Sequence, residues 1–163
     1  MTEKRVFRSD TFVNRSFVAG IPFILMFGGL THFAFAWLGK TNWAAPFVPV
    51  NESVWEHLKM SYWTTFLWFF FIFLFFGKRY RLSSSRWLLA GIVSMLFCLL
   101  FIFGIISGQL LASRTYRYVE PHRIRIGMAV ALWLILALAF LLFSFQPPVL
   151  PLFLDTPTGS YGF

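Results

Sequence analysis

Acidic side chains are scarce in this chain. Six Asp and Glu stand against fourteen Lys and Arg, and charged residues make up 12% of the 163. A soluble domain carries about 25% charge, so a surface that faces water all round is excluded. Cysteine is nearly absent. Cys98 stands alone, which rules out an intrachain disulfide. Inside an apolar block it reads as a buried, inert thiol. Nucleophile-elbow, P-loop, zinc-finger, Rossmann and haem-attachment patterns are all missing, as are internal repeats. Those absences remove the recognisable signatures of esterases, nucleotide hydrolases, dehydrogenases and covalent haem proteins.

What is present is apolar: 58% of residues are hydrophobic and 21% aromatic. The surplus falls into blocks of about twenty residues, the length that spans a hydrocarbon core. Nothing outside them can build a second core, so residues 1–163 read as one integral membrane domain. A net charge of +8 in a soluble protein would suggest nucleic acid. Here the basic residues flank apolar blocks, which points to membrane lipids as partners and not to nucleic acid.

The blocks predict helices at about 17–39, 53–77, 87–112 and 122–145, then a tail over 146–163. The expected fold class is an all-α four-transmembrane-helix bundle with an ordered, non-helical C-terminal tail. The first block carries Ala34-Phe35-Ala36, which has the look of a cleavage site. It is too long for a signal peptide and contains His32, so a retained helix is expected. The second block is apolar all round at its centre and ends at Gly77-Lys78-Arg79-Tyr80-Arg81, a basic stop. The third would be about 39 Å long at 1.5 Å per residue, more than a bilayer core needs. Pro121 opens the fourth and Gln146-Pro147-Pro148 stops it.

Four spans put both termini on one face. Lys4, Arg5, Arg8, Arg15, Lys78, Arg79, Arg81 and Arg86 then share that face, against Lys40, Lys59, Arg114, Arg117, Arg123 and Arg125 on the other. Eight against six favours a cytoplasmic N-terminus in the inner (cytoplasmic) membrane. The same arrangement sends His32, His57, His122, Glu52, Glu56, Glu120 and Gln109 toward one face.

The most informative stretch is Pro49-Val50-Asn51-Glu52-Ser53-Val54-Trp55-Glu56-His57-Leu58-Lys59, set against the apolar run that begins at Tyr62. Charged groups at the mouth of a membrane segment are costly and need a reason. Helix capping supplies one: Ser53 caps, and Glu56 returns to its backbone N–H. Were Asn51 the cap instead, Val50 and Trp55 would form a hydrophobic staple. Capping does not account for His57. A second reading makes His32, Glu52, His57 and His122 ligands of zinc or manganese, with Glu120 in reserve. A third takes Glu52, Glu56 or His57 as catalytic, with a carboxylate as general base. Two histidines at similar depth also suit a haem, which the missing attachment sequence disfavours.

Other features are weaker. His57, Ser61, Thr64 or Thr65, and Trp68 make a thin polar stripe that must face protein. Gly28 and Gly29 would admit a close helix neighbour, and Gly104-Ile105-Ile106-Ser107-Gly108 is a packing motif that suits a bundle and a homodimer equally. Arg114, Arg117, Arg123 and Arg125 form a patch for lipid headgroups or another anion, or snorkel to the interface. In the tail, Asp155 and Thr156 can close side-chain-bonded turns.

The Pro49–Lys59 segment and the tail motif Thr158-Gly159-Ser160-Tyr161-Gly162 resemble a family of small bacterial multi-pass membrane proteins classed as a domain of unknown function. The resemblance implies membrane integration and no activity. It also implies an additional apolar segment before the last helix, where this chain is shorter. An odd number of spans would bring Asp155 to the face of Glu52 and His57.

Three functions fit these residues. The first is an accessory membrane protein acting through lipids, a protein partner or a second copy. The second is a metal-dependent or acid–base enzyme using Glu52, Glu56, His57 and His32. The third is a small transporter or proton pathway along the polar stripe.

Overall fold

The computed structural model describes residues 3–98 and 102–161, with the side chains of 3–9 and 102–105 left aside. Five helices are present among them: α1 (Glu3–Trp37), α2 (Val54–Tyr80), α3 (Ser84–Cys98), α4 (Ile102–Tyr118) and α5 (Arg123–Phe145). Three of these, α1 from Asp10 onward, α2 and α5, are long and apolar enough to cross a membrane. A 3-10 turn at Pro151–Phe153 and the strands β1 (Leu154–Asp155) and β2 (Ser160–Tyr161) follow. The tail is therefore a small antiparallel hairpin, with Asp155 opposite Ser160.

Several boundaries depart from the sequence reading: α2 runs on to Tyr80, α3 starts earlier at Ser84, and α4 continues to Tyr118 through residues expected as a polar connector. Helix α1 begins at Glu3, not near residue 17. Part of the added length packs: Val13 is buried in one cluster with Phe69 and Trp87, and Phe12 stacks on Tyr80. The larger departure is the third block. The single helix expected over 87–112 is two, which run antiparallel as a hairpin. Contacts pair early residues of α3 with late ones of α4. The Trp87 ring meets Tyr116, and Gln109 donates to the Ser94 hydroxyl at 2.7 Å. A Cβ on Gly108 would lie 2.8 Å from the Ser94 carbonyl oxygen, so glycine is what lets the two backbones touch. Gly108 of the small-residue motif thus serves the hairpin; the side-chain surroundings of Gly104 fall outside the described residues.

At 15 and 17 residues, α3 and α4 are about 22 and 26 Å long, short of the roughly 30 Å of a hydrocarbon core. Cys98, at the end of α3, packs on Ile24 near the middle of α1. The hairpin thus reaches mid-bundle, with both open ends at the same end of the molecule. Trp87 ties it to α2 by donating from its indole N–H to the Phe69 carbonyl at 2.9 Å.

Helices α1 and α2 also run antiparallel, from Phe12 on Tyr80 through Phe23 on Trp68 to His32 beside His57. Only Gly28 of the glycine pair packs there, against Thr64; Gly29 faces open space. Helix α5 returns antiparallel to α2, with Trp55 on Phe140 and the Tyr62 hydroxyl donating to the Trp133 carbonyl. The bundle therefore has two distinct ends. The hairpin end holds the start of α1, the end of α2, both ends of the hairpin and the start of α5. The motif end holds the 38–53 loop, the start of α2, the end of α5 and the tail.

Candidate metal centre at the motif end

The loop before α2 is organised by its own polar side chains. Asn51 accepts from the Ser53 N–H at 3.0 Å, and Ser53 is the N-cap, accepting from the Glu56 N–H at 3.3 Å. The expected capping box is only half formed. Glu56 does not return to Ser53; its carboxylate accepts from the Val50 N–H at 3.0 Å and pairs with Lys59 at 2.5 Å. Lys59 is fully buried and also donates to the Ala45 carbonyl (2.6 Å) and the Ser144 hydroxyl (2.9 Å). Glu56 and Lys59 thus form a latch that holds the 44–50 loop and the end of α5 to α2. A buried charge pair persists only with its remaining donors and acceptors filled, and here they are. The latch commits Glu56 Oε2 to Val50 and Lys59.

Glu52 lies outside that latch, half exposed, between two imidazoles. Its carboxylate is 3.2 Å from His32 Nε2 and 3.7 Å from His57 Nε2. The two rings lie 5.5 Å apart, and one ligand atom from each of the three residues falls within 4.8 Å of the others. A tetrahedral zinc with bonds of about 2.0–2.1 Å spaces its ligand atoms about 3.3 Å apart, so His32 and Glu52 already stand at ligand spacing.

The tautomer of His57 sharpens the geometry. Its Nδ1 lies 2.9 Å from the Ser53 carbonyl oxygen, which can only accept, so Nδ1 carries a proton. In the neutral ring Nε2 is then a lone pair, and it faces the Glu52 carboxylate. Two acceptors face each other at 3.7 Å, a gap that a proton on the imidazole, a bridging water or a shared cation would fill. Metal-bound histidines orient themselves by this kind of ring N–H to carbonyl bond.

Glu52 is also held from behind. Its backbone N–H donates to Asp155 in the tail at 2.9 Å. The Asp155 carboxylate is buried and accepts from the Thr158 hydroxyl as well, while its carbonyl accepts from the Gly159 N–H at 2.7 Å. Phe153 stacks near Trp55, ring centres 4.9 Å apart. The two sequence motifs, far apart in the chain, are one structure. Gly162, the last residue of the tail motif, lies outside the described residues.

Other expected site residues are elsewhere. His122 is the N-cap of α5 at the hairpin end, accepting from the Ile124 N–H through Nδ1. It is not part of the cluster, because the hairpin returns the chain to its starting end instead of carrying it across. Glu120 is there too, 3.5 Å from Arg86. Gln109 is fully buried inside the hairpin contact. Arg117 reaches Asn14, Arg125 donates to the Glu120 carbonyl at 3.0 Å, and Arg114 and Arg123 are exposed. All four arginines are at the hairpin end, away from Glu52. The polar stripe of α2 turns inward as expected: Thr64 and Thr65 are buried, and the Thr64 hydroxyl donates to its own helix at Met60. Ser144 was not singled out in the sequence, and Lys59 was named only within the Pro49–Lys59 stretch and the charge count, without a role at the site. The one available signal was the three-residue spacing from Glu56 to Lys59.

The sequence matches the family of unknown function DUF6512 over residues 6–105 and 97–163. The chain belongs to that family. The two matched stretches overlap at 97–105, where α3 gives way to α4. No curated protein and no solved structure proved similar to it.

Proposed function

We propose that this DUF6512 protein is a three-span membrane protein that binds a divalent metal ion, zinc by preference, through His32, Glu52 and His57. The observation that carries the reading is the carboxylate set between two imidazole nitrogens, one of which is aimed by the Ser53 carbonyl. Two histidines and a glutamate form one of the ligand sets of catalytic zinc, which keep a position open for water or substrate. That open position would admit a membrane-borne substrate to metal-assisted chemistry, with Glu56 held in the Lys59 latch.

Orientation follows from the hairpin. If α3 and α4 dip in and return, the hairpin end collects Lys4, Arg5, Arg8, Arg15, Lys78, Arg79, Arg81, Arg86, Arg114, Arg117, Arg123 and Arg125. The motif end keeps Lys40 and Lys59. Twelve against two replaces eight against six, and it supports a cytoplasmic N-terminus. The metal site then opens on the outer face of the cell membrane. A purely accessory role accounts for the basic end, which suits anionic lipid, but leaves the cluster at the other end without a purpose.

Metal analysis tests the reading. Purified protein exposed to zinc chloride and then desalted is expected to retain one zinc per chain, and His57→Ala to retain none. No retained metal, or undiminished retention by His57→Ala, overturns it.

A further inference from the structure

Beside the cluster lies a cavity of about 150 Å³, bounded by His32, Glu52, Asn51, Pro49, Phe35 and Lys40 among others. It touches two of the three ligands and is where an exogenous fourth ligand would enter. We infer that this cavity takes a phosphate group, with one oxygen on the metal and its charge met by Lys40. The inference rests on the zinc reading and names the ligand class of that same site.

Three observations support it. First, Lys40 is one of only two cations at the motif end, and the other, Lys59, is sealed against Glu56. Lys40 is exposed and lines the cavity. A metal carrying one carboxylate keeps a net positive charge, and a lysine added beside it selects an anion. Second, Lys40 is held in place at a conformational cost. It follows Gly39 in the left-handed region (φ 69° and 54°), where a residue with a side chain is uncommon. Its N–H is bonded to the Phe35 carbonyl at 2.9 Å, closing the end of α1 and placing the Lys40 backbone at the cavity rim. This is the left-handed close of a helix C-terminus, which Arg81 repeats at the end of α2; at α1 it brings Lys40 to the cavity. Third, the rim carries exposed indoles of the kind that anchor at headgroup depth. Trp37 and Trp43 flank Lys40 and are 69% and 63% exposed, as interfacial anchors are. Phosphate is the anion most abundant at that depth. A lipid headgroup and a free phosphate offer the same oxygens to the metal and to Lys40.

The test uses the full-length protein in neutral detergent. Inorganic phosphate is titrated by calorimetry into zinc-loaded and zinc-free protein, and into Lys40→Asn, which tolerates the left-handed conformation but lacks the charge. Phosphate is expected to bind the zinc-loaded form at least tenfold tighter than the zinc-free form. Lys40→Asn is expected to weaken it about tenfold while still retaining one zinc, and Lys40→Arg to restore it. Nanodiscs separate the sources. If the ligand is a lipid, phosphatidic acid in a phosphatidylcholine disc blocks the titration. If it is free phosphate, discs with and without phosphatidic acid titrate alike and as in detergent; if both discs block the titration seen in detergent, the phosphatidylcholine phosphate is the ligand. Zinc retention with no phosphate binding, or with binding indifferent to zinc or to Lys40→Asn, overturns this inference and leaves the metal reading standing. Failure to retain zinc overturns both.

Discussion

The two ends of the bundle are built from different materials. At the hairpin end the polar side chains are numerous, exposed and loosely paired: Arg86 meets Glu120 at 3.5 Å, with Glu120 85% exposed. At the motif end they are few, and most are buried or bonded on several sides. Lys59 has three partners, Asp155 holds both a backbone and a hydroxyl group, and Glu52 sits between two histidines. Charge spread over a surface serves orientation and lipid contact. Charge brought into a low-dielectric site at a helix mouth is costly and persists where it fixes a structure or performs chemistry. The motif end does the first with Glu56 and Lys59, and under the reading above it does the second with Glu52, His32 and His57.

That contrast can be broken most forcefully at the latch. Lys59→Met leaves the Glu56 carboxylate buried without its cation, a loss of about 3–5 kcal/mol. Thermal unfolding followed by tryptophan fluorescence in detergent is expected to show it as a large drop in midpoint. Lys59→Met combined with Glu56→Leu is expected to recover at least half. If the single change is silent, the pair is not a latch.

Asp155→Ala removes the acceptor for the Glu52 N–H, a charge-assisted bond whose loss costs about 1.5–3 kcal/mol. It is expected to lower the midpoint and to weaken zinc retention together, since Glu52 is then held only from the front. Loss of stability with zinc affinity intact would separate the tail from the site.

At the hairpin end, Gly108→Ala drives a methyl group onto the Ser94 carbonyl, and overpacking of this kind costs about 1–3 kcal/mol. Zinc retention in detergent is expected to be unchanged, because no ligand comes from α3 or α4. The smallest effect belongs to Arg86→Ala. Its exposed pair with Glu120 contributes about 0–1 kcal/mol, and the midpoint is expected to move within error. A large shift there would erase the difference between the ends.

Much of this arrangement was legible in the sequence, and the failures have physical causes. Helix α2 was expected from residue 53 and α5 from 122, and they begin at 54 and 123: Ser53 was legible as a cap and Pro121 as a helix opener, while the cap at His122 was not. The break between α3 and α4 was not legible. Leu99, Leu100 and Phe101 carry neither glycine nor proline, so no local signal interrupts the apolar run. The one hint was excess length, a helix of about 39 Å where about 30 Å suffices. That single miss misplaced His122, Glu120 and the four arginines, since topology errors propagate to every later residue. The convergence of His32 with His57 survived, because both precede the break. The approach of Asp155 to Glu52 followed from the alternative of an odd number of spans, which the family resemblance raised. The Glu56–Lys59 latch stayed hidden because its other members, Ala45 and Ser144, come from distant segments.

The account turns on the hairpin dipping in and returning, for this sets the basic end and the site on opposite faces. Thiol labelling of intact cells with a membrane-impermeant maleimide tests it most directly, in a Cys98→Ser background. Single cysteines replace Val149 and Tyr118, which are 78% and 77% exposed at the motif and hairpin ends. The account predicts that Val149→Cys is labelled in intact cells and Tyr118→Cys only after permeabilisation. Labelling of Tyr118→Cys from outside, with Val149→Cys protected, would mean that the 84–118 segment crosses the membrane, and would contradict it.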